Sequence, residues 1–385
     1  MIFLKTRKTA TVKVACFQGS AGPAEYHLMM IPESQGSFLK QAEDLYQIYQ
    51  ETLRQLRLKM ETAVFQRFFC SDLANQAEAL QAAFFSCGKD TTLSAVSLVE
   101  QPPLPPARVA LWAYHLADSQ LVKTGSTNFL SLSRGKLSHH WLTGITAAGN
   151  SAYRQSWKVF RQCTRLLQKK GMTLPDNLIR TWLFVRDIDN NYQGLVAARK
   201  EFFATCGLTP ETHFVASSGI GGGSSDRQAL VTLDAYAISG IGKEQISYLS
   251  APEHMSPTYL YGVTFERGTA VSYSDRKHVI ISGTASIDRA GRILYPEDVQ
   301  AQFERTLDNI SALLSPAGAT LKEVATFTGY VRDPADQKRI SQAMEALFPE
   351  TPFLILLAPV CRPGWLVELE GLAVIPASYP HLPSF

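Results

Sequence analysis

Residues 360–371 read VCRPGWLVELEG and bring a thiol, a guanidinium and two carboxylates onto one short stretch of chain. The Pro363-Gly364 turn runs into an alternating strand, so Leu366, Glu368 and Glu370 share one face while Val367 and Leu369 take the other. Two carboxylates on one face of an apolar strand repel each other and lose their hydration if buried. Acid–base chemistry has a use for that arrangement. Burial and a nearby like charge raise a carboxyl's pKa until it holds a proton near neutrality and can deliver it. Glu368 is the candidate acid, against the alternative that it lies on a solvated edge. Glu370 either tunes it, pairs with an arginine or faces solvent. Cys361 has no histidine nearby in sequence to activate it and reads as a pocket wall rather than a nucleophile.

The elements that position these residues repeat along the chain. Three segments carry a strand ending in an aspartate: FQRFFCSDL (65–73), TWLFVRDI (181–188) and FTGYVRDP (327–334), aligned at Asp72, Asp187 and Asp333. An amphipathic helix precedes each, at roughly 37–60, at roughly 151–170, and over Val299, Phe303, Leu307, Ile310 and Leu314, with Pro296 in the first turn. A second helix follows each, at about 73–86, 190–205 and 335–348. Each copy closes on a strand, VALWAYHL (109–116), VTLDAYAI (231–238) or VELEGLAV (367–374). The pattern predicts an α+β fold of three tandem units, 1–120, 121–245 and 246–385, each with helices on one face of a sheet. Sheets covered on one face need cover on the other, and packing around a pseudo-threefold axis supplies it. At the aligned positions of the closing strands stand Ala110 and Trp112, then Thr232 and Asp234, then Glu368 and Glu370. Only the last copy has a carboxylate at the first position, which predicts one working site with the other copies as scaffold.

Bulk properties exclude other classes. With 45% hydrophobic and 18% charged residues and a net charge of +3, the chain is an ordinary globular one without a like-charge block or aromatic-basic stripe, so no nucleic acid partner is expected. The longest apolar runs are strand-sized, so no membrane partner is expected either, and MIFLKTRKTATVKVACF at the start alternates like a strand rather than a signal peptide. Cysteines 16, 70, 87, 163, 206 and 361 lack CxxC spacing, which fits a reducing cytoplasm and gives no metal signature. His139 and His140, adjacent, would point to opposite faces of a strand, so a loop or strand start is expected there rather than a metal site.

The third copy resembles the Rid (YjgF, endoribonuclease L-PSP-like) superfamily, with VIISGTASID (279–288), TFTGYVRDPAD (326–336) and VELEGLAV in family order. That resemblance implies tandem β-α-β-α-β units of chorismate-mutase-like fold and a ligand site between units. Rid imine deaminases hold their substrate with an arginine on the strand that is Phe353–Leu357 here, and no arginine stands there. The chorismatase branch is the nearer likeness. Its C-terminal Cys-Arg-x-x-Leu-Leu-Val-Glu-Ile-Glu-Gly is matched by Cys361 through Gly371, which puts Glu368 on the family's catalytic acid. Its Ser-Gly-Thr-Ala-Ser-Ile strand is intact at Ser282–Ile287, Trp182 and Arg199 match in the second copy, and Ser217 to Gly221 resembles its Ala-Thr-Gly loop. Leu183 stands where an asparagine is expected, and the tyrosine-rich segment before the third copy is shortened to 259–267.

The resemblance implies an enzyme without metal or organic cofactor, acting on a small carboxylate substrate such as chorismate and releasing pyruvate. It implies substrate contacts at Arg362, Cys361, Arg199, Ser218, Gly219, Thr284 and Ala285, and Arg267, as a further cation, and Tyr330 join them as candidates on their residue types. Guanidinium groups suit the substrate's carboxylates because they bind bidentately. Arg332 is a further cation, equally suited, like Arg186, to a salt bridge with Asp333 or Asp187. Tyr330 replaces Phe184 and Phe69 of the other copies, as site lining or as core. The Gly219–Ser225 run lacks a Walker lysine and reads as a flexible pocket-edge loop. The alternatives are a Rid-type imine or enamine hydrolase and a non-enzymatic binding protein. Either a monomeric pseudo-trimer or a higher homo-oligomer is compatible.

Overall fold

The computed structural model describes residues 2–7, 10–85 and 93–385; Cys87 lies outside them. In the first unit β1 (Ile2–Arg7), β2 (Ala10–Phe17) and β3 (Ala24–Pro32) lead through α1 (Phe38–Gln55) to β4 (Ala63–Cys70), α2 (Leu73–Phe84), β5 (Ala95–Glu100) and β6 (Val109–Ala117). The second unit runs β7 (Val122–Ser126), β8 (Phe129–Arg134), β9 (Leu137–Ile145), α3 (Ala152–Gln168), the single turn α4 (Leu174–Asn177), β10 (Leu178–Val185), α5 (Ile188–Thr205), β11 (Ala216–Gly221) and β12 (Val231–Ser239). The third has β13 (Ile246–Tyr248), β14 (Gly268–Ser272), β15 (Arg276–Ala285), α6 (Val299–Leu314), β16 (Val324–Val331), α7 (Pro334–Leu347), β17 (Phe353–Leu357) and β18 (Val367–Pro376).

The three sheets have one strand order: β1-β2-β3-β6-β4-β5, β7-β8-β9-β12-β10-β11 and β13-β14-β15-β18-β16-β17. Each is six-stranded, and the closing strand of every repeat lies in the middle of its sheet. Bonded on both sides and covered on both faces, such a strand must be apolar nearly throughout. The aligned aspartates 72, 187 and 333 are the N-cap residues of α2, α5 and α7. Asp333 shows why the position recurs: its carboxylate accepts from the Ala335 amide at 2.8 Å. The cap of α6 is Asp298, which accepts from the Gln300 and Ala301 amides. Pro296 therefore stands before that helix rather than in its first turn, because the aspartate outcompetes it as the cap.

Helices cover the outer face of each sheet, over separate apolar layers. The inner faces meet in one core shared by all three units, with Phe65 and Trp112 from the first, Trp141 and Phe184 from the second, and Tyr330 and Leu354 from the third. Fully burying each such side chain contributes about 1.5–3 kcal/mol, and no unit alone can do so. His139 and His140 lie mid-strand in β9, on opposite faces, rather than in a loop or at a strand start. Each is accommodated by a hydroxyl, Tyr236 at 2.7 Å and Ser131 at 2.9 Å. Among the described residues no helix is long and apolar enough to cross a membrane.

Candidate active site

The second and third units meet where β11 runs beside β15. The approach is backbone against backbone: Gly221 donates to the Pro359 carbonyl at 2.9 Å, and a Cβ on Gly221 would meet that same oxygen at 2.9 Å. The glycine-rich run begins as strand β11, not as the flexible loop its composition predicts, because β10 and the third unit bond it from two sides.

A cavity opens beside this seam. Glu368 lines it from β18, together with Arg199 of α5, Ser218 and Gly219 of β11, Ala285 of β15, and Arg267, Cys361 and Arg362 from loops of the third unit. Glu368 is 5% exposed. Its carboxyl lies over Gly283, where a Cβ would collide with Oε1. Among the described residues no group donates a hydrogen bond to it. Burial, and then the charge of Glu370, push the Glu368 carboxyl up to about 8, against the pull of Arg180 and Arg267. It is therefore a protonated acid at neutral pH. Gly283→Ala displaces that acid, and with misplacement by an ångström costing about 10²-fold in rate, turnover should drop by that order while the melting temperature stays close to wild type. Full activity in the variant would show that the acid's position is not critical.

Glu370, two residues on, answers to different partners. It accepts from Arg180 Nη2 at 2.8 Å, from Trp182 Nε1 at 2.9 Å and from the Ser218 hydroxyl. Ser218 Oγ also accepts from the Gly283 amide at 2.8 Å, which ties the clasp to the strand beneath Glu368. One carboxylate is thus held by a buried arginine so that its charge raises the other. Glu370→Gln removes the like charge and leaves Arg180 uncompensated, and both effects favour ionised Glu368. For any reaction in which Glu368 gives a proton, activity in the wild type should fall above about pH 8, and that alkaline limb should move to lower pH in Glu370→Gln. A kcat/KM profile with an unmoved limb would rule Glu370 out as the tuning charge.

The cavity's other charged groups are all positive. Arg199 is 2% exposed, reaches Ser217 Oγ at 3.4 Å, and leaves Nε and Nη2 unpartnered. Arg267 donates to the Ser256 carbonyl at 3.0 Å with Nε unpartnered. Arg362 stacks over Tyr261 and Trp365, 4.6 and 4.8 Å from the ring centroids. Buried guanidinium nitrogens without partners suit an anionic ligand, since leaving them unmet is costly. Cys361 is pushed up to about 12 by burial and then by Glu368, so it lines the wall as a thiol.

Two predicted contacts lie elsewhere. Tyr330 is fully buried in the shared core; it stands opposite Glu368 across the β16–β18 pairing, on the same inner face of the sheet, but does not line the cavity. Thr284 is also fully buried and donates back to the Ser282 carbonyl at 2.9 Å. Arg332 pairs with Asp189, two nitrogens at 2.9 Å each, instead of with Asp333 or Asp187, because the cap of α7 already occupies Asp333. Arg186 donates to the Ser224 carbonyl at 2.9 Å. On β17, Ile355 faces the helix-side core, and no charged residue occurs along that strand. Sequence reasoning missed Arg180, Tyr192 and Tyr261. Arg180 was signalled as the lone charge in the apolar LIRTWLFV, and Tyr192 by its two-turn spacing from Arg199 on α5.

Comparison with known proteins places these features in context. Residues 268–375 match the endoribonuclease L-PSP family model. The 3-aminoacrylate deaminase RutC of Acinetobacter baylyi is 35% identical over 98 residues, 25% of this chain and 77% of that protein. The 3-hydroxybenzoate synthase of Streptomyces hygroscopicus is 25% identical over 232 residues, 54% of this chain and 66% of that protein, just under two thirds of its length. A chorismatase crystal structure superposes with a TM-score of 0.64 at 17% identity, covering 92% of this chain and 99% of that one, a likeness of fold.

Proposed function

This chain belongs to the Rid (endoribonuclease L-PSP) superfamily and has the fold of its chorismatase branch, and from that premise we propose that it cleaves or rearranges chorismate or a related carboxylated enol ether. The observation that carries the reading is Glu368, a buried acid with its proton retained to about pH 8, in a cavity whose other charged groups are all guanidiniums. Chorismate offers what such a cavity takes: two carboxylates for Arg199, Arg267 and Arg362, and an enolpyruvyl ether that is labile to acid. Glu368 gives its proton to the enolpyruvyl methylene carbon. Water adds to the resulting cation, the hemiketal collapses to pyruvate and a ring alcohol, and the proton released returns to Glu368. Positioned proton transfer of this kind contributes about 10²–10⁴-fold.

The free cavity volume is ≈ 30 Å³. A ring-sized substrate therefore enters by displacing Tyr261, which sits on the single turn Thr258–Tyr261 ending at Gly262, φ +89°. The test is incubation with chorismate and mass spectrometry of the products, with pyruvate expected; no turnover would sink the assignment. A second reading, hydrolysis of an imine or enamine, is favoured by the 35% identity to a 3-aminoacrylate deaminase. It is opposed by the arginine-free strand β17. Ammonia released from amino-acid-derived imines would select it.

A further inference from the structure

The Arg180–Glu370 pair also borders a second cavity, inside the shared core, that Glu368 does not line. Six aromatic rings surround it: Phe65, Trp112 and Tyr114 from the first unit, and Trp141, Trp182 and Tyr236 from the second. Aliphatic side chains of the third unit, Leu372 among them, close it. Its volume is ≈ 80 Å³, about half of the roughly 150 Å³ of an apolar cavity that takes benzene, so a single aromatic ring is the largest guest and enters as the surrounding rings move apart.

Polar groups on the wall lack partners. His27 is 3% exposed, and neither Nδ1 nor Nε2 makes a hydrogen bond. Trp112 stacks beside it, ring centroids 6.4 Å apart, with Nε1–H unpartnered. Both are buried, and a buried polar atom left unmet is costly. A neutral imidazole offers one donor and one acceptor, and the indole adds a donor. A hydroxyl, which donates once and accepts twice, answers that set. The other polar groups on the wall already have partners: Arg180 has Glu370, and His278 Nε2 lies 3.0 Å from Glu25. A charged guest finds no free partner charge there.

We propose that this inter-sheet chamber is a binding site for one uncharged, phenol-sized aromatic molecule, its ring among the tryptophans and its hydroxyl bridging His27 and Trp112. The site is separate from the Glu368 cavity, so its test does not depend on what that cavity catalyses. Phenol is titrated into the intact protein, read by tryptophan fluorescence and calorimetry, beside toluene and benzoate. Phenol should saturate at one per chain, with toluene and benzoate weaker by about tenfold or more, the worth of one good hydrogen bond. Trp112→Phe should weaken phenol by about tenfold and leave toluene unchanged. Leu372→Phe, which fills the chamber, should abolish both, with melting curves to confirm that each variant is folded. Absence of saturable phenol binding would overturn the proposal. So would binding that survives both substitutions, which would locate phenol elsewhere.

Discussion

Glu368→Gln should reduce release of pyruvate from chorismate by about 10²–10⁴-fold, the usual contribution of a positioned proton donor, with the fold intact. Glutamine keeps the shape and the buried amide needs no counterion, so a substrate anion should still bind and KM should change little. A steady-state comparison at pH 7 separates the two quantities. A variant retaining more than a tenth of wild-type kcat would remove Glu368 from the chemistry. The same substitution carries a stability signature. The folded protein holds the Glu368 proton up to about pH 8, whereas an unfolded chain releases it near the ordinary 4.5. Between those values the folded state binds more protons, so stability declines as pH rises through that window. Glu368→Gln should lack that slope.

Arg180→Met should be the most destabilising single change around the site, by about 3–5 kcal/mol, because it strands a buried carboxylate. Arg180 and Glu370 are 1% and 6% exposed at their side chains, so water cannot take the place of the lost partner. Arg180→Met with Glu370→Gln should recover most of the loss, since glutamine still accepts from Trp182 and Ser218 without a charge to compensate. Urea midpoints at pH 7 with unchanged m-values make the comparison. A loss below about 1 kcal/mol in the single variant would mean that the pair behaves as a surface one.

What sequence reasoning reached and what it missed divide along a physical line. Periodicity, caps and closing strands are local signals, so the three repeats and their helices could be read from neighbouring residues, whereas the central place of β6, β12 and β18 depends on pairing between distant strands. Glu368 stood out because two carboxylates on one face of an apolar strand are themselves a local anomaly. Arg180 is a local anomaly too, but its meaning lies 190 positions away at Glu370, and one sequence does not reveal such a pairing. The glycine run misled for a related reason. Its composition is that of a loop, and only the arrival of Pro359 from another unit makes strand the better state. Tyr330 was placed by comparison with its repeats, which identifies the position and its sheet face but not how far along that face the cavity extends.

Three sheets of one strand order in one chain also bear on stoichiometry. A ring of identical subunits would repeat any cleft at every seam and would let occupancy at one influence the rest. Here the seam joining the first two units has Asp234 clasped by Arg67 at 2.8 Å and Thr232 where the third unit has Glu368. A carboxylate at the Glu368 position is thus furnished once per polypeptide. Titration of the proposed substrate should therefore saturate at one equivalent per chain, where a ring of three identical seams would take three.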